Sequence, residues 1–282
     1  MIKYPNIDPV LLKIGPLKIH WYGVMYLIGF LGSWLLARYR ARKSNGLWTS
    51  EQVADIIFYS IIGVLLGGRI GYVIFYTFGS FVTNPLEIFK IWEGGMSFHG
   101  GLLGVIAMLY IYAKKTGKNL FQIGDFIVPM VPIGLGAGRI GNFINGELWG
   151  KTSTLPWAMI FPTDPSRQPR QPTQLYEFFL EGIILFIILW VYSRKHRPRM
   201  AVSGLFLLCY GTFRFIIEFV RVPDSQLGYL CCGWVTMGQL LSIPMIAIGI
   251  IFLIRGYTKY PLVDSMNSDD IDYLKRIKKK RK

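Results

Sequence analysis

The sequence predicts an all-α polytopic membrane protein with about seven transmembrane helices, an N-terminus outside, a cytoplasmic C-terminus and a small extracytoplasmic cap. Three observations lead to this fold class. The chain is 52% hydrophobic and only 17% charged, with a mean hydropathy of +0.39, which is typical of membrane proteins. It contains seven apolar stretches of about 20 residues, the helix length that crosses a hydrocarbon core. Clusters of Lys and Arg follow every second stretch, as the positive-inside bias requires.

The predicted spans are separated by short links. They are residues 20–37, 56–78, 96–113, 119–141, 175–192, 201–220 and 235–254. Basic links follow the first, third, fifth and seventh spans, so these links are assigned to the cytoplasm. Lysines in the N-terminal segment oppose this orientation, but they are outweighed by the concordant links. Because no cleavable signal peptide is recognisable upstream, the first span is expected to be retained.

Residues 1–254 are expected to form one membrane domain, followed by a basic cytoplasmic tail at 255–282. Within the domain, residues 142–174 are rich in Pro, Thr and Gly and are predicted to form the cap. Residues 84–92 are predicted to form a short interfacial helix. The tail is expected to touch anionic membrane lipid. The net charge of +15 does not indicate a nucleic-acid partner, because the basic residues cluster in these links and the tail.

Polar and ionisable residues interrupt or edge the apolar stretches, and alternate crossing of the membrane puts them all near one face. They are His20, Tyr22, His99, Arg139, Asn142, Glu147, Glu177, Arg214, Glu218 and Arg221. Ionisable groups at such a depth are costly and usually functional. The sequence therefore predicts a site in the outer leaflet that opens to the outside.

The fourth span and the turn that follows it are predicted to form a cradle for an anionic or polyol head group. Prolines interrupt this span, and residues 138–150 combine one Arg, two Asn and one Glu with several glycines. Broken helices at membrane depth are tolerated where they line a cavity. The alternative is a structural turn in which the Asn residues cap a helix. Arg139 favours the cradle, because a bare cap needs no cation.

Arginines are the predicted phosphate ligands, since their planar fork makes two charge-assisted hydrogen bonds. Arg139 and Arg214 are the best candidates. For Arg214 the alternative is an i,i+4 ion pair with Glu218, and both roles can hold together. Arg69 lies deeper, and a structural bond to backbone carbonyls is as well supported for it as a functional one.

His99 stands between two glycine pairs in residues 94–101 and is predicted to act as a general base near pH 7. The alternatives are a ligand that positions the lipid head group and a satisfied structural histidine. His20 and Tyr22 also fit an ordinary interfacial aromatic belt. The sequence shows no protein nucleophile motif and no metal-ligand spacing, so we expect no metal or other cofactor. The cysteines, which are Cys209, Cys231 and Cys232, fit neither a disulfide framework nor a zinc site.

Six strings carry a family resemblance. They are HWYG at 20–23, GGRIGY at 67–72, GGMSFHGG at 94–101, GRIGNFINGE at 138–147, QLYE at 174–177 and RFIIEFVR at 214–221. Together they resemble the prolipoprotein diacylglyceryl transferase family over about residues 21–244. The string at 138–147 is highly specific. Thr236 is a mild departure, because the family more often has Ser at this position.

The resemblance implies a bacterial plasma-membrane enzyme with seven spans and an active site on the outer-leaflet side. It would move the diacylglyceryl group of phosphatidylglycerol to the lipobox cysteine in the signal peptide of a prolipoprotein. A thioether would form and glycerol phosphate would leave. The functional positions implied are Tyr22, His99, Arg139, Asn142, Glu147, Gly150, Tyr210, Arg214 and Glu218. We add Asn145 and Arg69 to the predicted substrate-binding residues, and assign His99, Arg139 and Arg214 to catalysis.

That activity fits the residues, because the nucleophile arrives with the substrate. Two other classes of protein are alternatives. A transporter or flippase of an anionic lipid or solute would use the same arginines, but needs polar groups through the inner half of the membrane. Asp125 is the main polar residue there. A scaffold that only binds prolipoproteins would leave the buried arginines without a purpose.

Overall fold

A computed structural model describes residues 2–260 except 6, 16, 45, 90–93 and 224–227. Helices dominate the described part of the chain. They are α1 Trp21–Arg42, α2 Ser50–Tyr76, α3 Phe78–Thr83, α4 Phe98–Thr116, α5 Leu120–Ile127, α6 Val131–Asn145, α7 Thr173–Glu177, α8 Leu185–Tyr192, α9 Ala201–Ile217 and α10 Met237–Lys259. A 3-10 turn at Val128–Met130 joins α5 to α6, and a π-helical turn at Phe178–Ile184 joins α7 to α8.

Every predicted span overlaps a helix. Within the described residues, four helical runs are long and apolar enough to cross a membrane, and these are Ser50–Tyr76, Leu120–Asn145, Thr173–Tyr192 and Met237–Lys259. Helix α9 is apolar but shorter, with 17 residues. The predicted helical, multi-pass membrane architecture is therefore confirmed at this level. Residues 261–282, which hold most of the predicted basic tail, lie outside the described residues.

The all-α prediction is wrong in two short places. Strand β1 Val10–Ile14 pairs with β2 Leu17–His20 in an antiparallel hairpin, and β3 Met159–Ile160 pairs with β4 Pro169–Arg170. Gly15 has φ +58° in the hairpin turn, a conformation that glycine adopts without steric cost. Both sheets lie outside the helical spans, where a segment too short to form a stable helix can pair its backbone with a neighbouring strand instead.

The described structure divides into two compact units, of which the larger contains residues 1–36 and 124–282. Its core includes Leu185 and Leu189 of α8 and Val202 of α9, all buried. Helix α6 packs closely on the π-helical turn at Gly136 and Gly182. A Cβ on Gly136 would lie 3.2 Å from the Cα of Gly182, so small residues allow the two backbones to approach, as is usual between membrane helices.

The second unit contains residues 37–123 and is dominated by the pair α2 and α4. A Cβ on Gly100 of α4 would lie 2.8 Å from the Cα of Gly71 and would also meet the carbonyl of Gly67. The glycines thus permit close backbone packing of the two helices. The predicted interfacial helix at 84–92 coincides with a 3-10 turn at Pro85–Phe89, and its last residues lie outside the described part.

Candidate active site

Arg139 lies on α6 and faces two buried carboxylates, Glu177 at the end of α7 and Glu181 in the π-helical turn. Its Nε lies 3.3 Å from Oε2 of Glu177, and its Nη2 lies 3.5 Å from Oε2 of Glu181. The Arg139 side chain is 17% exposed while both glutamates are fully buried. Among the described residues, none forms a hydrogen bond or ion pair with Nη1 of Arg139. The guanidinium is therefore loosely held on one edge and open on another.

Arg214 of α9 is held more tightly than Arg139. Its Nη1 pairs with Oε1 of Glu177, and its Nη2 lies 2.6 Å from Oε1 of Glu218, one turn further along the chain. The predicted i,i+4 pair with Glu218 is thus confirmed. Glu218 also contacts Nη1 of Arg221 at 3.1 Å and accepts a hydrogen bond of 2.6 Å from the Thr236 hydroxyl. Thr236, which supplies this hydroxyl, also caps α10.

These contacts form one network with three formal positive and three formal negative charges among the described residues. Its members are Arg139, Arg214, Arg221, Glu177, Glu181 and Glu218. Buried charges are tolerated where they are paired, because an unpaired charge loses its hydration without compensation. A further negative charge from a ligand would upset this balance unless a carboxylate moved or became neutral.

The sequence alone did not find Glu181. Glu177 was among the polar residues predicted near the outer face, without a role, and Glu181 follows it by four residues in an apolar stretch. An acidic residue inside a predicted span is the signal that could have identified it. Both lie at or within the π-helical turn, a feature often found at functional sites. No described residue hydrogen-bonds Oε1 of Glu181.

The predicted cradle after α6 is organised around Glu147. Gly146 ends α6 in the left-handed conformation, with φ +68°, and the chain then turns back. The amides of Asn142 and Asn145 both donate to Oε1 of Glu147, at 2.8 and 3.1 Å. Gln174 donates to the backbone carbonyl of Glu147 at 2.5 Å. The two Asn side chains thus orient a carboxylate whose Oε2 accepts no hydrogen bond from a described residue.

Gly150 is buried at the junction between the cap and the charge network. Its N–H donates to the carbonyl of Gln171 at 2.8 Å, and it forms an isolated β-bridge with Arg221. A Cβ here would lie 2.7 Å from the carbonyl oxygen of Val220 and 2.7 Å from the Thr173 methyl. Close packing therefore explains the glycine, and its predicted substrate contact has a structural alternative.

An ion pair stabilises the predicted cap. Asp164 accepts hydrogen bonds from Nε and Nη2 of Arg170 at 2.6 and 3.2 Å. The Arg170 guanidinium, aided by Ser166, holds the pKa of this carboxyl well below its usual range. Arg170 also stacks over Trp149 at 4.0 Å, and Trp149 donates to Thr163 at 3.3 Å. The cap is thus tied to the turn that carries Glu147.

Tyr22, at the start of α1, packs against Gly141 and lies beside a cavity. A Cβ on Gly141 would lie 2.8 Å from the Tyr22 ring, so the glycine makes room for the tyrosine. The Tyr22 and Tyr26 hydroxyls are 3.3 Å apart. The cavity has a volume of about 610 Å³ and is lined by β2, the start of α1 and Asn145. His20 also lines it, so two of the interfacial aromatic residues border an open space.

Tyr210 of α9 is placed near the charge network. Its ring stacks on Phe206 with centroids 5.6 Å apart. Its hydroxyl interacts electrostatically with Arg139, Arg214 and Glu181. The larger unit therefore brings together most predicted site residues, which are Tyr22, Arg139, Asn142, Asn145, Glu147, Gly150, Tyr210, Arg214 and Glu218.

The other two predicted site residues, Arg69 and His99, belong to the unit of residues 37–123. Arg69 donates from Nε to the carbonyl of Ile88 at 3.0 Å and from Nη1 to that of Gly94 at 2.7 Å. These bonds support the structural alternative for Arg69. His99 is exposed just after Ser97, the N-cap of α4, and forms no hydrogen bond with the described residues. The described residues therefore do not support the alternative of a hydrogen-bonded structural histidine.

Asp125 is occupied by a structural task. Its carboxylate accepts hydrogen bonds from the N–H groups of Met200 and Ser203, at 2.7 and 2.8 Å, and from the Ser203 hydroxyl at 2.6 Å. It thus satisfies two backbone donors at the N-terminus of α9. The acid that the sequence predicts in the inner half of the membrane already caps a helix, so the transporter alternative is not favoured.

Comparisons with known proteins agree on one family. A family model described as prolipoprotein diacylglyceryl transferase matches residues 9–255. The chain is 58% identical over 262 residues to the phosphatidylglycerol–prolipoprotein diacylglyceryl transferase of Ectopseudomonas mendocina, covering 93% of this chain and 98% of the relative. It is 59% identical to proteins of the same name from Marinomonas sp. (91% and 95% covered) and Pseudomonas aeruginosa PAO1 (92% and 97% covered). The resemblance predicted from the six strings is confirmed.

Proposed function

The chain belongs to the prolipoprotein diacylglyceryl transferase family, and we propose that its network of buried arginines and glutamates binds the phosphate of the lipid donor. The protein transfers a diacylglyceryl group from phosphatidylglycerol to a prolipoprotein, the first step of lipoprotein maturation. Membership of the family does not by itself show which residues of this chain carry out each part of that reaction.

The phosphate site is proposed from one observation. Arg139 is partly exposed, is held only loosely by Glu177 and Glu181, and has one edge of its guanidinium that no described residue pairs with. A phosphodiester can accept two parallel hydrogen bonds from that edge. Arg214 is held by Glu177 and Glu218, so its charge adds to the field at the phosphate while its position stays constant. Arg139 is thus the direct ligand and Arg214 the supporting cation.

We propose that Glu147 binds the glycerol head group. Asn142 and Asn145 both donate to one oxygen of its carboxylate, which leaves the other to accept a hydrogen bond from a glycerol hydroxyl. The Tyr22 hydroxyl interacts electrostatically with both Glu147 and Arg139, so it is suited to a second contact with the head group. The cavity beside Tyr22 provides room for a head group.

The acceptor in this proposal is the lipobox cysteine of the prolipoprotein. Its sulfur attacks the glyceryl carbon that carries the phosphate, the carbon–sulfur bond forms, and the carbon–oxygen bond to the phosphate breaks. Glycerol phosphate leaves with the electron pair, and Arg139 and Arg214 stabilise the charge that develops on it. His99 accepts the thiol proton, since a free thiol has a pKa of about 8.5 and reacts as the thiolate.

The membrane arrangement proposed is seven spans, with the N-terminus outside and the site facing the outer leaflet of the bacterial plasma membrane. The basic links after alternate spans support it. Single cysteines introduced into a cysteine-free background and labelled with an impermeant reagent test it. Residue 167 in the cap should react in intact cells, whereas residue 116 at the end of α4 should react only after permeabilisation. Labelling of residue 116 from outside would show that the orientation is the opposite of the proposed one.

The function is tested with purified protein, phosphatidylglycerol and a synthetic lipobox peptide. We expect the peptide to gain the mass of a diacylglyceryl group on its cysteine, with release of glycerol phosphate. A peptide with alanine in place of that cysteine is the matched control and should remain unchanged. Transfer to the alanine peptide would contradict the thiol as acceptor, and no transfer to either peptide would contradict the activity.

A further inference from the structure

Glu181 is not explained by the reaction as proposed. Glu177 already lies between Arg139 and Arg214 and compensates charge on both. Glu181 adds a second carboxylate to Arg139 at 3.5 Å, although its side chain is fully buried. Its other oxygen, Oε1, has no hydrogen-bond partner among the described residues. Burying a carboxylate with so little compensation is costly, and the reaction as proposed gives no reason for it.

The surroundings of Glu181 show which charges act on it. Arg139 faces it from α6, Glu177 from α7, and Arg214 and Tyr210 from α9. The described network is balanced between three arginines and three glutamates. A lipid phosphodiester that binds Arg139 brings one more negative charge into this buried space. Two carboxylates and a phosphate would then share one guanidinium.

Glu181 is the carboxylate that can give way at least cost. Glu218 has two arginine contacts and a hydrogen bond from Thr236. Glu177 has ion pairs with both Arg139 and Arg214, although its Oε2, like Oε1 of Glu181, accepts no hydrogen bond from a described residue. Among the described residues Glu181 has a single ion pair, and at 3.5 Å it is the longest in the network. The acid with the weakest compensation is the one that becomes neutral when a further negative charge arrives.

We propose that Glu181 positions Arg139 in the lipid-free protein and takes up one proton from solution when the phosphate of an anionic phospholipid binds that arginine. This inference rests on the proposed function, because it assumes that the donor phosphate binds Arg139. Once neutral, Glu181 no longer competes for the guanidinium. The full charge of Arg139 is then available to the leaving phosphate as its second negative charge develops. The proton returns to solution when the product leaves.

The inference is tested by counting the protons that accompany lipid binding. Full-length protein in a non-ionic detergent is titrated with short-chain phosphatidylglycerol, without peptide, in buffers of different ionisation enthalpy. The dependence of the measured heat on the buffer gives the number of protons taken up. Near pH 7.5 we expect the wild type to take up at most about one proton per bound lipid. The Kd for the lipid should then rise by at most about tenfold for each unit by which the pH is raised.

Glu181→Gln keeps the shape of the side chain but cannot ionise, so proton uptake should disappear and the Kd should no longer depend on pH over this range. Asp125→Asn is the matched control, since it removes another carboxylate with buried partners that lies outside the network. It should take up protons like the wild type. His99→Gln should also retain the uptake. If Glu181→Gln takes up as many protons as the wild type, the inference is wrong.

A second measurement tests the inference even if the Glu181→Gln variant fails to fold. The infrared difference spectrum between lipid-bound and lipid-free wild type should show a new carbonyl band of a protonated carboxylic acid, and Glu181→Asp should shift it. The absence of such a band would overturn the inference. Wild type that binds phosphatidylglycerol and transfers its diacylglyceryl group without proton uptake would refute this inference alone. Wild type that does not bind the lipid would refute the proposed phosphate site itself.

Discussion

Replacement of Arg139 by lysine separates the geometry of this side chain from its charge. In its guanidinium, Nε lies 3.3 Å from Glu177 and Nη2 lies 3.5 Å from Glu181, so Nη1 remains available to the substrate. A lysine ammonium is one compact donor group at the end of a flexible chain. It can approach one carboxylate or the phosphate, but it cannot span both carboxylates and present a flat edge to the phosphate.

The expected loss follows from the number of hydrogen bonds that lysine cannot replace. One charge-assisted hydrogen bond to the phosphate is lost, and such bonds contribute about 1.5–3 kcal/mol. Losing one donor that acts on the charge developing in the transition state lowers kcat by about 100- to 1,000-fold. We therefore expect Arg139→Lys to retain at most about one hundredth of the wild-type kcat, with a smaller change in lipid binding because the positive charge remains.

The assay measures initial rates of peptide modification across a range of phosphatidylglycerol concentrations, together with the Kd for the lipid. Arg167→Lys is the matched control, because Arg167 is exposed in the cap and its side chain has no described partner. It should behave like the wild type. A well-folded Arg139→Lys variant with near-normal kcat would refute the reasoning. Arg139 would then act as a generic cation or a structural residue.

Three further predictions concern other parts of the molecule. His99→Gln should lower turnover by about two to four orders of magnitude with little change in lipid Kd, and raising the pH toward the thiol pKa should partly restore activity; unchanged turnover would exclude a general base. Gly100→Ala should lower the free energy of unfolding by about 1–3 kcal/mol, measured by thermal melting in detergent, because its Cβ would meet the α2 backbone; Gly79→Ala, with nothing within 4 Å, is the control. Asp164→Asn should cost about 2 kcal/mol near neutral pH. The folded-state pKa of Asp164 lies below its unfolded value of about 4, so this contribution is present above that pH and is lost as the pH falls; an equal difference in Tm between wild type and variant at pH 6 and pH 3 would contradict it.

The membrane character of the chain could be predicted from the sequence because it depends on local properties. The length of an apolar run and the identity of the residues that follow it are visible without knowledge of the fold. The family could likewise be recognised from short strings, above all residues 138–147. The helix Leu120–Asn145 and the turn after it appear where the run of prolines, glycines and polar residues predicted them.

The hairpin at residues 10–20 and the exact role of Arg69 were not predictable in the same way. Strand pairing depends on two short segments finding each other, and neither has a long enough pattern to indicate it. Arg69 bonds to carbonyls that lie 19 to 25 residues further along the chain. These partners are distant in sequence from Arg69, so no local pattern identifies them.

The sequence by itself predicts that arginines and acids gather near one face of the membrane, because spans that alternate in direction bring their ends together. Only the tertiary structure decided which acid meets which arginine. Glu177 pairs with both Arg139 and Arg214, and among the described residues Glu181 pairs with Arg139 alone. These pairings depend on the rotation of each helix about its axis and on the close approach that Gly136 and Gly182 allow. Both are set by side-chain packing between segments distant in sequence, which no local pattern records.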